Sequence, residues 1–302
     1  MSVVEVSVRV PAKVNVYLGV GPRQSNGFHD LATVFQSLSV YDEVTLHRAD
    51  EFSIIPKGQW KNSIPTDSTN LAAKAVNYVA AASGNQPHVT LTIDKSIPVA
   101  AGLAGGSADA AAALVAADAL WGNSVGRDKL EDMANQLGSD VAFMLHGGCA
   151  LGTGRGNILS PVMTRGIFHW VLATFHDGLS TPAVYAKLDE LRGVNFAHEP
   201  QVPTELLAAL AQGDSVELGK HLHNDLQPAA IALKPHLGKV LDFGIDQGAL
   251  GALVSGSGPT CAFLVHDESS AIDLVVKLMG SGLVDGALHA HGPVHGARVV
   301  PQ

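Results

Sequence analysis

The chain has little of what several classes of protein require. Only two cysteines, Cys149 and Cys261, occur in 302 residues. That rules out a disulfide framework and fits a reducing cytoplasm, the expected location. Charged residues make up 16% and the net charge is −9. An acidic chain argues against nucleic acid as a partner. No uncharged apolar run reaches the ~20 residues that span a bilayer, so no membrane partner is expected. Glu5 and Arg9 interrupt the N-terminal valines, which alternate as in a strand rather than forming the apolar core of a signal peptide. A Walker A sequence is missing, and the glycine-rich run at 98–108 is not a G-x-G-x-x-G fingerprint.

What is present is enough apolar material, 46%, for two cores. Two domains are the expectation for this length, divided as 1–160 and 161–302. Val4, Val6, Val8 and Val10 read as a strand that Pro11 interrupts, and Val14, Val16 and Leu18 as a second extended stretch. Lys13 and Asn15 then share the opposite face of that stretch. Helices are expected over Leu71–Ala82, Ala108–Leu120 and Asp128–Leu137, and a short one after Ser139 as cap, with Asp140 in its first turn. Beyond residue 166 a strand, several helices, two strands, a helix and a final strand near Gly296–Val299 suggest a split βαββαβ unit.

The strongest chemical signal is Pro98–Ala108. Gly102, Gly105 and Gly106 stand just before Ser107 and a helix. Glycines admit φ > 0 and close approach of an anion, and a helix start offers free N–H groups and a positive dipole end. Such a cradle binds phosphate without much positive charge, which suits an acidic chain. Ser107 could cap the helix, touch a phosphate or ligate Mg²⁺. A tight, closely packed turn is the plainer reading of the same glycines.

Pro98-x-x-x-Gly102-Leu103-x-Gly105-Gly106-Ser107 resembles the ATP loop of the galactokinase, homoserine kinase, mevalonate kinase and phosphomevalonate kinase (GHMP) superfamily. Pro11–Asn15 resembles its N-terminal motif and Val254–Thr260 its C-terminal glycine-rich one. The resemblance implies an α+β, two-domain kinase with a ribosomal protein S5 domain 2-like N-terminal domain, a ferredoxin-like C-terminal domain, and ATP and Mg²⁺ as cofactors. Gly27–Leu31, Leu137–Val141 and Gly152–Gly156 are similar to one branch, which phosphorylates the 2-hydroxyl of a methylerythritol carried on cytidine diphosphate in the non-mevalonate isoprenoid pathway.

Carried over to this sequence, the resemblance implies Lys13 and Asp140 for catalysis. It implies Asn70 and Pro98, Val99, Ala100, Ala101, Gly102, Leu103, Ala104, Gly105, Gly106, Ser107 and Ala108 for the nucleotide. Asn15, Phe28, His29, Thr181, Tyr185, Gly256, Ser257 and Gly258 fall to the acceptor substrate, with Phe28 and Tyr185 stacking on the pyrimidine. Phe28 stands where this branch usually has tyrosine. Ala100, Ala101 and Ala104 replace glycines common in relatives, which assigns the unusual φ angles to Gly102, Gly105 and Gly106. Another kinase of the superfamily, such as homoserine kinase, and a non-catalytic metabolite-binding protein of the same fold are the rivals. His289, His291 and His295 have loose metal-ligand spacing but read as a strand face. His221 and His223 point apart on a helix, and both cysteines read as buried packing residues.

Overall fold

The computed structural model describes residues 4–193 and 196–301. The first half contains β1 (Glu5–Arg23), β2 (His29–Arg48), β3 (Ser53–Gly58), α1 (Leu71–Ser83), β4 (Val89–Lys95), α2 (Gly105–Leu120), α3 (Arg127–Leu137), α4 (Ser139–His146), β5 (Cys149–Thr153) and β6 (Ile158–Pro161). The second contains β7 (Phe168–Thr174), α5 (Thr181–Arg192), α6 (Thr204–Gln212), α7 (Ser215–Lys220), β8 (His223–Asn224), α8 (Gln227–Leu233), α9 (His236–Asp246), β9 (Gly251–Val254), β10 (Cys261–Val265), α10 (Glu268–Ser281), β11 (Gly286–Gly292) and β12 (Arg298–Val299). No helix among the described residues is long and apolar enough to cross a membrane.

Pro11 does not end the first strand. β1 runs for 19 residues, and its pairing with β2 shifts register at Pro11/Ala12, Asn15/Tyr17 and Val20/Arg23. A bulge absorbs the missing proline N–H and re-aims the side chains beside it. The shift just after Asn15 falls at the start of the cleft described below. The larger sheet has the order β12-β1-β2-β4-β3, with β5 added on β2, β6 on β5 and β8 on β1. Two short strands from the second half therefore complete the first sheet.

Helix α2 lies against β1 and β2, with α1 and α4 packed beside it. Its alanines allow that close fit, and 12 of its 16 residues are buried. Asn70 caps α1 by accepting from the N–H groups of Ala72 and Ala73, and Gly84 ends it at φ 70°. α2 begins at Gly105, earlier than the sequence suggests, and Ser107 lies inside its first turn rather than capping it. Ser139 likewise opens α4 without capping it; Gly138 holds the cap position in extended backbone.

The second sheet has the order β11-β7-β10-β9, antiparallel throughout. This is the βαββαβ arrangement, but its last strand is Gly286–Gly292; the shorter segment near 298 belongs to the first sheet. Alternation along β7 sends Phe168, Trp170 and Leu172 into the first core and Val171 and Ala173 into the second. The sheet is thus covered on both faces, and the two cores meet across it. Trp170 Nε1 donates to Gln36 Oε1 at 2.7 Å, fixing β7 against β2.

Candidate active site

The three sequence motifs converge in one place. Lys13, on β1, is only 4% exposed. Its ammonium donates to Asn15 Oδ1 at 2.6 Å and to the Gly102 carbonyl at 3.1 Å. Asp140 Oδ2, from the first turn of α4, lies 3.8 Å away. Burial pushes the Lys13 amine below its ordinary 10.5, and Asp140 opposes that shift. Asn15 passes the chain of bonds on, donating to Thr33 Oγ1 at 2.8 Å.

The glycine-rich loop is held from two sides. Ser255 Oγ also donates to the Gly102 carbonyl, at 3.1 Å, and the Thr260 N–H donates to the Ala101 carbonyl at 3.3 Å. The C-terminal motif is therefore a buttress for the loop. A Cβ on Gly102 would stand 1.9 Å from the Ser255 carbonyl oxygen. The positive φ angles fall on Ala100 (52°), Gly102 (79°) and Ala104 (58°). Gly105 and Gly106 are helical, so the strain expected of them is absent. Gly105 instead allows close packing over Lys95, whose Nζ would lie 2.9 Å from an added Cβ, and Gly106 faces open space.

Beneath the loop is a cluster the sequence did not announce. Lys95, 1% exposed, donates to Asp42 Oδ2 at 2.5 Å, to Asp109 Oδ2 at 2.7 Å and to the Gly105 carbonyl at 2.7 Å. Asp42 Oδ1 accepts from the N–H groups of Ser96 and Ile97. Burial pushes the Asp109 carboxyl up to about 7 against the pull of Lys95. Burial alone would lower Lys95, but Asp109 and Asp42 outweigh it and raise its pKa.

Above the loop the surface opens into two adjoining lobes. The first, about 570 Å³, is lined by Lys13, Asn15, Ala100, Ala101, Gly102, Ala104, Gly105, Gly106, Gly256 and Ser257, among others. The second, about 560 Å³, is lined by Phe28, His29, Arg23 and Asp189. Asp140, Ser107, Arg155, Thr181 and Tyr185 line both. Asp140 therefore stands at the junction.

In the second lobe His29 Nε2 bonds Asp189 Oδ1 at 2.7 Å, and the His29 ring lies 5.1 Å from that of Tyr185. Phe28 instead carries the Arg155 guanidinium, 3.6 Å from its centroid. Phe28 and Tyr185 thus line the same lobe, each with a neighbour already in place. Burial, with Asp140 nearby, pushes the Tyr185 phenol up to about 12. Thr181 and Ser257 join their hydroxyls at 2.8 Å.

Not every residue expected at the site reaches it. Asn70 uses its oxygen on the α1 cap and its amide on the Pro65 carbonyl; its neighbour Leu71 lines the first lobe instead. Pro98, Val99, Leu103 and Ala108 shape the loop without lining a lobe, and Leu103 and Ala108 are fully buried. Gly258, at φ 79°, packs against Val254. Sequence reasoning missed Asp189 and gave Arg155 no role, although Arg155 lies within a quoted motif. Among the described residues no group of three or more His, Cys, Asp or Glu could hold a metal. His289 instead meets His169 at 3.1 Å, and burial lowers its pKa.

A strained loop at a helix start, a buried lysine and a carboxylate between two lobes define a small-molecule kinase site. The models of the GHMP kinases N terminal domain and of the GHMP kinases C terminal region match residues 70–148 and 206–282. The chain is 52% identical over 298 residues to the 4-diphosphocytidyl-2-C-methyl-D-erythritol kinase of Mycolicibacterium smegmatis, covering 98% of this chain and 92% of that one. It is 51% identical over 295 residues to the enzyme of the same name from Nocardia farcinica, covering 98% and 96%. A crystal structure of 4-(cytidine 5'-diphospho)-2C-methyl-D-erythritol kinase superposes with a TM-score of 0.78 at 31% identity, covering 94% of this chain and 98% of that one. The chain belongs to the GHMP kinase family and has its α+β, two-domain fold.

Proposed function

We infer that the chain is an ATP-dependent kinase acting on the 2-hydroxyl of 4-diphosphocytidyl-2-C-methyl-D-erythritol, in the non-mevalonate isoprenoid pathway. The observation that carries this reading is the pair of lobes meeting at Asp140. One lobe has the anion cradle at the start of α2; the other has aromatic and hydrogen-bonding walls suited to a pyrimidine. ATP takes the first lobe, with its phosphates on the Ala100–Ser107 loop. The cytidine takes the second, against Phe28 and Tyr185. The Asp189 carboxylate on Nε2 makes that nitrogen of His29 a donor and orients the ring, which would meet the cytosine edge.

Phosphoryl transfer through a loose transition state requires positioning and charge stabilisation more than early deprotonation. Asp140 orients the hydroxyl and accepts its proton late. Lys13 holds Asp140 and offsets charge on the transferred group. Tyr185, with its phenol held protonated, is no rival base. Thr181 lines both lobes; Asn15, Gly256 and Ser257 line the first, with Ser257 bonded to Thr181. Mg²⁺ fits this donor set as an ion carried on the nucleotide's phosphates, because it requires only one or two protein oxygens. Ser107, on the shared wall, would supply one of them, and the ion would offset phosphate charge. We place the domain division near residue 160, between β6 and β7, with β8 and β12 crossing back.

The test offers the purified protein ATP with the cytidylyl substrate, homoserine or mevalonate in parallel. A cytidylyl 2-phosphate with ADP is the expected product. Preference for homoserine or mevalonate overturns the substrate assignment.

A further inference from the structure

Arg155 sits at the tip of the β5–β6 hairpin, between Gly154 at φ 64° and Gly156 at φ 86°. The hairpin is anchored beside the second lobe, because the Leu31 N–H donates to the Gly154 carbonyl at 2.6 Å. Arg155 is the one cation lining both lobes among the described residues. The lysine and the other arginine of the lobes each have a carboxylate: Lys13 has Asp140, and Arg23 has Asp189, which also holds His29. No carboxylate pairs with Arg155 among the described residues. Its guanidinium rests on Phe28.

The electrostatic consequence is direct. Asp140 and Asp189 offset the neighbouring cations, so an anion entering the second lobe meets little free positive charge except Arg155. A guanidinium matches phosphate oxygens with paired N–H donors. An aromatic face is also where a pyrimidine would stack.

Resting on the cytidine reading of this lobe, we propose that Arg155 has two seats: on the Phe28 ring when the lobe is empty, and on the substrate's diphosphate when it is filled. Arrival of the base displaces the guanidinium from the ring, and the phosphates take it up. The same residue then disfavours an unphosphorylated nucleoside, which must displace it without offering it a partner. Discrimination for a diphosphate is thus built into the unliganded site.

The test is calorimetric binding of cytidine and of cytidine diphosphate to the full chain, wild type and variants. Arg155→Ala should weaken cytidine diphosphate about tenfold or more, the scale of losing charge-assisted hydrogen bonds. It should tighten cytidine roughly two- to fivefold, the scale of releasing an exposed cation–π contact. Arg155→Lys should restore part of the diphosphate affinity, and the salt dependence of that affinity should be shallower in Arg155→Ala. An equal loss for both ligands, or no change for either, overturns the two-seat assignment while leaving the cytidine reading intact. A wild type that binds neither ligand sinks the cytidine reading, and the proposal with it.

Discussion

At the scale of single residues, the pair Lys13 and Asp140 has the clearest consequences. Removing the proton acceptor while keeping its shape, Asp140→Asn, should lower kcat by about 10²- to 10⁴-fold. The KM for ATP should change little, because the cradle is built from loop backbone. Steady-state kinetics checks this, and unchanged turnover would refute the role of Asp140. Lys13 adds a pH signature. Its pKa lies below 10.5 because it is buried, so it loses its proton, and the enzyme its activity, as pH rises through that lowered value. The alkaline limb of kcat/KM should therefore fall below 10.5. Whatever rate Lys13→Arg retains should keep that limb further up, since a guanidinium stays charged. Both residues were legible in the sequence, because each lies in a short motif with a chemical reason for its residue types. Asp189 was not. It stands 160 positions from His29, and no local pattern marks an aspartate on α5 as the partner of a histidine on β2.

At the scale of an element, the phosphate loop shows what glycine content alone conceals. Three glycines suggested three strained positions, yet only Gly102 has a positive φ, and Ala100 and Ala104 carry the others. Such strain persists where neighbours over-determine the backbone. Here those neighbours are distant in sequence: Lys13 and Ser255 on the Gly102 carbonyl, and Gly178 packed against Ala100. Two alanine substitutions should therefore behave differently. Gly102→Ala meets the Ser255 carbonyl at 1.9 Å and should lower both Tm and ATP affinity. Gly106→Ala meets nothing within 4 Å and is helical, so stability should hold or rise by about 1 kcal/mol. Its methyl projects from a residue lining the first lobe, so the KM for ATP should rise. Thermal melts and ATP kinetics on both variants would separate strain from access, and matching profiles would contradict the distinction. The strands show the same limit. Pro11 looked like a break because its pairing partner could not be seen, and β11, rich in glycine, alanine and histidine, has too little β-branched character to announce itself.

At the scale of the whole molecule, the catalytic loop is seated on a core that contains charge. Lys95, Asp42 and Asp109 place one ammonium and two carboxyl groups where almost no water reaches, and Lys95 ties them to the first residue of α2. Two carboxylates against one ammonium would leave a net buried charge. Burial disfavours the charged carboxyl of Asp109, and Asp42 adds to that against the pull of Lys95, so its pKa rises to about 7 from an ordinary 3.8. Between those values the folded chain holds a proton that the unfolded chain releases. Stability from this group is therefore complete below about pH 4 and is lost progressively as pH rises to about 7. Above that, both states are ionised and the loss levels off, on the order of a few kcal/mol. Asp109→Asn keeps the shape without the ionisation, and Lys95 retains Asp42 and the Gly105 carbonyl. Melting curves from pH 5 to 8.5 should show the variant gaining on the wild type as pH rises, with most of the gain complete by about pH 8. Parallel curves would mean that Asp109 does not titrate in this window, and that the ion cluster beneath the loop is held in a single protonation state throughout.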